Sequence, residues 1–225
     1  MASEAHHLET LALREQFNTE EQQRDASTLG MWVFLITEIM FFGGMFLAYT
    51  IYRSTYPNAF GLASSSLNLP IGATNTCVLL LSSFTMVMAV RAASLGSRKG
   101  LIVFLILTMI LGTAFLGVKA YEWTEKFEEH HDPGPTFHME GDTAQGQGQA
   151  MLFFSLYFAM TGLHALHMIV GVGLLAFLLR RAYQGQYSPV YWTPVDIAGL
   201  YWHFVDIIWI FLFPLLYLVD RHLKG

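Results

Sequence analysis

Polar residues are distributed along this chain as a few interruptions between long apolar stretches, not as the alternation or amphipathic striping of a water-soluble fold. Five stretches reach the length of about 20 mostly apolar residues needed to cross a bilayer: 29–52, 71–93, 101–121, 151–179 and 197–219. The pattern predicts an all-α, polytopic membrane protein whose five spans form one helical bundle. A polar segment 1–27 precedes a single transmembrane domain 28–225, and the longest connection is 123–149. Small residues in the spans, Gly43, Gly44, Thr108, Gly112, Gly162, Ala165, Gly171 and Gly173, let helix backbones approach closely. Pro214 removes a backbone donor in the fifth span and predicts a kink there.

Composition agrees. The 225 residues are 54% hydrophobic and only 13% charged, about half the charged fraction of an ordinary soluble domain. Residues 1–27 lack an apolar core, so no cleavable secretion signal is expected and the first span must direct insertion itself. Cys77, the one cysteine, lies inside the second run, so disulfides and cysteine-based metal sites are excluded. With a formal net charge of −5, no nucleic-acid partner is expected.

Cytoplasmic segments are enriched in Lys and Arg. The side shared by the N-terminus and the second and fourth connections holds Arg14, Arg24, Arg91, Arg98, Lys99, Arg180 and Arg181; the other holds Arg53, Lys119, Lys126, Arg221 and Lys224. This predicts the N-terminus inside and the C-terminus outside. The outer loop 123–149 then carries six acids against one lysine, which fits either an ordinary solvated loop or a patch for a cationic partner. Its His130, His131, Asp132 and His138 have no spacing that fixes a metal geometry.

The costly residues are the polar ones inside the spans. Glu38 interrupts the first run, and a charge at bilayer mid-depth costs at least about 2.5 kcal/mol on insertion scales. His164 and His167 lie three residues apart in the fourth span, as do His203 and Asp206 in the fifth, and such pairs share nearly one helical face. At 1.5 Å per residue, Glu38 and Asp206 lie about 14 Å from the inner ends of their runs and His167 about 20 Å. A shared polar layer of Glu38, His167 and Asp206 is therefore permitted, and interhelical hydrogen bonds that only fix packing are the alternative. His164 or His167 with His203 also offers two imidazoles for a b-type haem.

Four blocks then carry a family resemblance: Leu29-Gly-Met-Trp-Val-Phe-Leu-Ile-Thr-Glu38-Ile-Met-Phe-Phe-Gly, Asn75-Thr-Cys-Val-Leu-Leu-Leu-Ser-Ser83, Phe158-Ala-Met-Thr-Gly-Leu-His164-Ala-Leu-His167 and Tyr201-Trp-His203-Phe-Val-Asp206-Ile-Ile-Trp209. A looser one runs from Leu111 to Trp123 and includes Glu122. The chain resembles subunit III of the haem–copper respiratory oxidases, in the short five-helix form of bacterial members that lack the first helix pair. The resemblance implies an accessory subunit of a proton-pumping terminal oxidase in the bacterial inner membrane. It holds no redox centre, haem and copper lying in partner subunits. It contacts subunit I directly, with subunit II and smaller subunits in the same complex, and binds phospholipid and supports proton uptake. Glu38 matches the family's membrane-buried, carbodiimide-reactive glutamate, and His164, His167, His203 and Asp206 fall on its interior polar positions. The acidic loop favours cytochrome c as electron donor; a quinol oxidase subunit III and a nitric oxide reductase-associated homologue share the short form. A free-standing transporter or b-type cytochrome is the reading of a different class.

Overall fold

The computed structural model describes residues 16–128, 134, 137 and 144–218. Among the described residues six helices follow one another: α1 Glu20–Thr55, α2 Pro57–Ser65, α3 Leu69–Ser94, α4 Arg98–Glu128, α5 Ala144–Tyr183 and α6 Thr193–Tyr217. All but α2 are long and apolar enough to cross a membrane. In hydrocarbon every backbone N–H needs a partner inside the chain, so long apolar runs settle as continuous helix. The helices outrun the apolar stretches, because polar residues at their ends sit where water or headgroups can meet them. α1 begins within the polar N-terminal segment, where the Thr19 hydroxyl accepts from the Gln22 amide at 3.1 Å and caps it. α4 continues to Glu128 and α5 starts at Ala144, so both ends of the connection expected over 123–149 are helical.

Short turns set the helix order. Gly96 (φ 70°) and Gly185 (φ 72°) adopt the left-handed conformation just past α3 and α5. There the Ser97 amide donates to Ala92 O at 2.9 Å and the Gln186 amide to Arg181 O at 3.2 Å, closing both helix ends. Arg98 then ties two elements together, donating from Nε to Ala182 O at 3.1 Å and from its other guanidinium arm to Tyr183 O. The orphan carbonyls ending α5 thus meet a cation. In the α5–α6 connection, burial pushes the Tyr187 phenol up to about 12, so its hydroxyl keeps its proton at any ordinary pH. The turns at 95–97 and 184–192 lie with the start of α1 on one face of the bundle, called here the N-terminal face.

α6 is the centre of the bundle, packed by α3, α5 and α1, while α3 and α4 form an antiparallel hairpin. Over half of the apolar stretch of α6 is buried (56%), against 11% of that of α1. α1 therefore lies on the outside of the bundle. It meets the rest through a single stripe, Leu35, Phe42 and Tyr49, spaced at seven residues. Its far end is fixed where Tyr49 Oη donates to Leu215 O at 2.7 Å, and α2 is fixed beside it by Ser64 Oγ to Leu216 O at 2.7 Å. Both acceptors are last-turn carbonyls of α6, which have no intrahelical donor.

The mid-bundle core is organised by Trp202. Its Nε1 donates to Ser82 Oγ at 3.1 Å, and its ring lies over two helix backbones bare of side chains, at Gly112 on α4 and Gly171 on α5. A Cβ at Gly112 would stand 2.7 Å from the indole, and one at Gly171 2.9 Å. These two, of the small residues expected at helix contacts, do allow close approach; Gly43, Gly44 and Gly173 meet nothing within 4 Å. The indole is rigid and boxed in, so Gly112→Ala is expected to destabilise the bundle by about 1–3 kcal/mol, the usual cost of overpacking. Thermal inactivation of the detergent-solubilised protein measures it, and Gly43→Ala is the neutral comparison.

Candidate functional site

Glu38 lies on the α1 stripe between Leu35 and Phe42, and the packing turns it toward His167 on α5. Glu38 Oε2 and His167 Nε2 are 3.3 Å apart, with the side chains 21% and 17% exposed. The imidazole is held on every side. Its Nδ1 is 2.8 Å from Leu163 O, one turn back on α5. The Phe42 ring meets it edge-on at 5.4 Å and Tyr201 stacks at 6.5 Å. Tyr201 Oη in turn donates to His167 O at 3.0 Å.

The contact fixes where protons can be. A carbonyl oxygen only accepts, so the Nδ1 beside Leu163 O carries hydrogen. Nε2 is left facing the carboxylate. If Nε2 were bare and Glu38 ionised, two lone-pair atoms would oppose each other in a medium of low dielectric. One proton between them, on the carboxyl or on the imidazole, makes the contact attractive, and the pair as a whole then has no net charge. The arrangement is a one-proton dyad linking α1 to α5, partly open at the edge of the interface.

The other expected residues do not join it. Asp206 is 2% exposed and belongs to the α6–α3 interface beside Ser83; neither of its carboxyl oxygens has a hydrogen-bond partner among the described residues. The shared layer of Glu38, His167 and Asp206 is thus reduced to its first two members, because α1 packs against the α5 side of α6 while Asp206 faces α3. The Ser83 hydroxyl is hydrogen-bonded to His203 Nδ1 at 2.7 Å. His164 and His167 likewise part company: the small angular offset of three residues suffices to point His167 at α1 and bury His164 in the core. There His164 packs edge-on to Phe115 at 5.4 Å and over Trp209 at 5.1 Å. Among the described residues no three His, Cys, Asp or Glu side chains are grouped as a metal site requires. His130, His131, Asp132 and His138 lie outside the described residues.

A second polar cluster is absent from the expectations. Lys119 and Glu122 on α4 are buried, 4% and 1% exposed, and joined at 3.0 Å. Lys119 Nζ also donates to Tyr217 Oη at 2.8 Å and Tyr157 Oη at 3.2 Å, and lies 4.9 Å over the Trp209 ring. Both phenols donate to Glu122 Oε1, Tyr157 at 3.0 Å. Lys126, one turn beyond Glu122, donates to Ser66 O at the end of α2 at 3.0 Å. Lys119, one of the cations expected on the outer side, is instead a core residue. The available signal was its spacing: opposite charges three residues apart at the end of an apolar run pair on one face.

A profile described as cytochrome c oxidase subunit III matches residues 16–220. The chain belongs to the cytochrome c oxidase subunit III family. It is 34% identical to cytochrome c oxidase subunit 3 of Synechocystis sp. over 87% of its own length and 76% of the relative's. To the subunit of that name from Thermostichus vulcanus it is 32% identical, over 88% and 89%. The quinol oxidase subunit 3 of Bacillus spizizenii is 31% identical over 85% and 86%. The five long apolar helices fit a multi-pass membrane protein, and the relatives are named as subunits of respiratory oxidases.

Proposed function

We propose that the chain is the accessory subunit III of a proton-pumping terminal oxidase of the bacterial inner membrane. It has its N-terminus inside and C-terminus outside, with 1–27 as a polar cytoplasmic segment and 28–225 as one transmembrane domain. It stabilises subunit I by direct contact, lies in one complex with subunit II and smaller subunits, binds phospholipid, and leaves haem and copper to its partners. Within that complex Glu38 and His167 support proton uptake. The observation that carries this is the dyad itself, a carboxyl and an imidazole whose tautomer is set by Leu163 O and which hold one proton between two helices. Such a pair can pass its one proton between the carboxyl on α1 and the imidazole on α5 without changing the net charge in the membrane, whereas a lone Glu38 has no partner to exchange it with. His164, His203 and Asp206 serve the packing of α5 and α6 in this reading.

Cytochrome c as donor is supported by the acidic stretch 123–149, of which Glu125 and Glu128, at the end of α4, fall among the described residues. Similarity to a quinol oxidase subunit supports quinol as the alternative donor.

Glu38→Gln tests the proposal. The amide keeps the shape and can donate to a bare Nε2 but cannot hand over a proton. Assembly should change by under about 1 kcal/mol, the scale of one interhelical polar contact, while proton uptake and sustained turnover of the purified oxidase fall. Unchanged uptake and turnover in the assembled variant would rule the proton role out.

A further inference from the structure

α1 stands away from α5 and α6 at the N-terminal face. The gap is a cleft of about 500 Å³ between Ser27 on α1, Leu174 and Leu178 on α5, and Thr193, Pro194 and Ile197 at the start of α6. Its mouth is polar and carries Gln16, Gln23 and Tyr191; its floor is apolar. The cleft reaches into the level of the apolar runs. Ile197 is one helical turn, about 6 Å, from Tyr201, and Leu174 two turns, about 10 Å, from His167. Phe34, one turn before Glu38 on α1, and Tyr201, one turn after Ile197 on α6, have ring centroids 6.2 Å apart. Tyr201 is the residue that bonds His167 O and stacks on its ring.

We propose that this cleft is a water-filled vestibule through which solvent protons from the N-terminal face reach the Glu38–His167 dyad, with Phe34 and Tyr201 as the gate. Five polar side chains at the mouth, Gln16, Gln23, Ser27, Tyr191 and Thr193, supply the partners that ordered water requires. A space of about 500 Å³ has room for several water molecules. From Leu174 in the cleft lining the remaining path to His167 is about 10 Å, against the depth of about 14 Å counted along α1. Tyr201 acts as a positioning residue: its hydroxyl holds the α5 backbone at His167, and its ring closes the floor. The inference rests on the reading of the dyad as a proton-holding pair, but its test reads water and not turnover.

The test uses thiol accessibility in sealed native-membrane vesicles of both orientations, in a Cys77→Ser background. A charged, membrane-impermeant methanethiosulfonate reacts only with a thiolate in water. Ser27→Cys and Leu174→Cys line the cleft, Val103→Cys lies at similar depth on the exposed face of α4, and Gln186→Cys in the α5–α6 turn is the water reference. From the N-terminal side, the two cleft thiols are expected to react within about tenfold of the turn thiol, and the α4 thiol at least about 100-fold more slowly. Glu38→Cys reacts from that side alone, faster when Phe34→Ala opens the ring layer. A Leu174→Cys as inert as Val103→Cys means that lipid or protein fills the cleft and overturns the vestibule. So does a Glu38→Cys that stays unlabelled from the N-terminal side in both backgrounds. If the thiols react as expected while Glu38→Gln keeps full proton uptake, the vestibule stands and the dyad's proton role falls.

Discussion

Glu122→Ala is expected to destabilise the bundle by about 3–5 kcal/mol, because it strands a buried ammonium. In the native chain Glu122 accepts from Lys119, Tyr157 and Tyr217, side chains of three different helices, so its loss unties α4, α5 and α6 at one point. Lys119→Met should cost less than Glu122→Ala. The carboxylate left behind keeps both phenol donors, whereas the lysine left behind keeps only phenol oxygens and ring faces as acceptors. Removing both charges together, as Lys119→Met with Glu122→Leu, is expected to be milder than Glu122→Ala alone, since no uncompensated charge then remains in the core. At about 2–4 °C per kcal/mol for a chain of this size, the Glu122→Ala melting midpoint in detergent should fall by about 10 °C. A double variant as unstable as the sum of its singles would mean that the cluster acts by packing alone.

Trp202→Ala should be of similar size, about 3–5 kcal/mol, and at the upper end of that range. Cavities are cheapest where neighbours can collapse into them, and the indole here is flanked by Gly112 and Gly171, helix backbones with no side chain to move. Ser82 also loses its donor, in a buried polar group that includes the Thr85–Thr108 hydroxyl pair at 2.9 Å. Adding Gly112→Leu to Trp202→Ala should recover part of the loss, although Gly112→Leu alone damages the native core. That reversal of sign is the signature of two residues sharing one space. Denaturation in mild detergent, followed by tryptophan-independent far-ultraviolet circular dichroism, measures both; a Trp202→Ala midpoint within about 2 °C of native would show that the site collapses freely.

Trp202 does not stand out in the amino-acid pattern, and the reason is the solvent. A water-soluble helix advertises its buried face by apolar residues, but in lipid the outward face is as apolar as the inward one, so that contrast disappears. Leu80 and Phe84 on α3 read the same as Leu79 and Met86, yet the first two are exposed and the others buried. What remains legible is cost: a carboxyl in an apolar run, as at Glu38, or imidazoles at helical spacing, as at His164 and His167. Legibility of cost is not legibility of partner. Asp206 and His167 matched Glu38 comparably in depth, and only the rotation of each helix separated the one that meets it from the one that does not.

By itself the sequence determined the five spans, the all-α class, the family and the singular position of Glu38. Those rest on run length, on hydrogen-bond economy in hydrocarbon and on residue blocks, which are properties of single segments. Tertiary structure alone decided that Glu38 pairs with His167 and that Lys119 is a core residue. It also decided that Trp202 sits on two bare helix backbones and that α1 leans away to leave a cleft. Each depends on which way a helix is turned about its axis, and that is fixed by contacts between segments far apart in the chain.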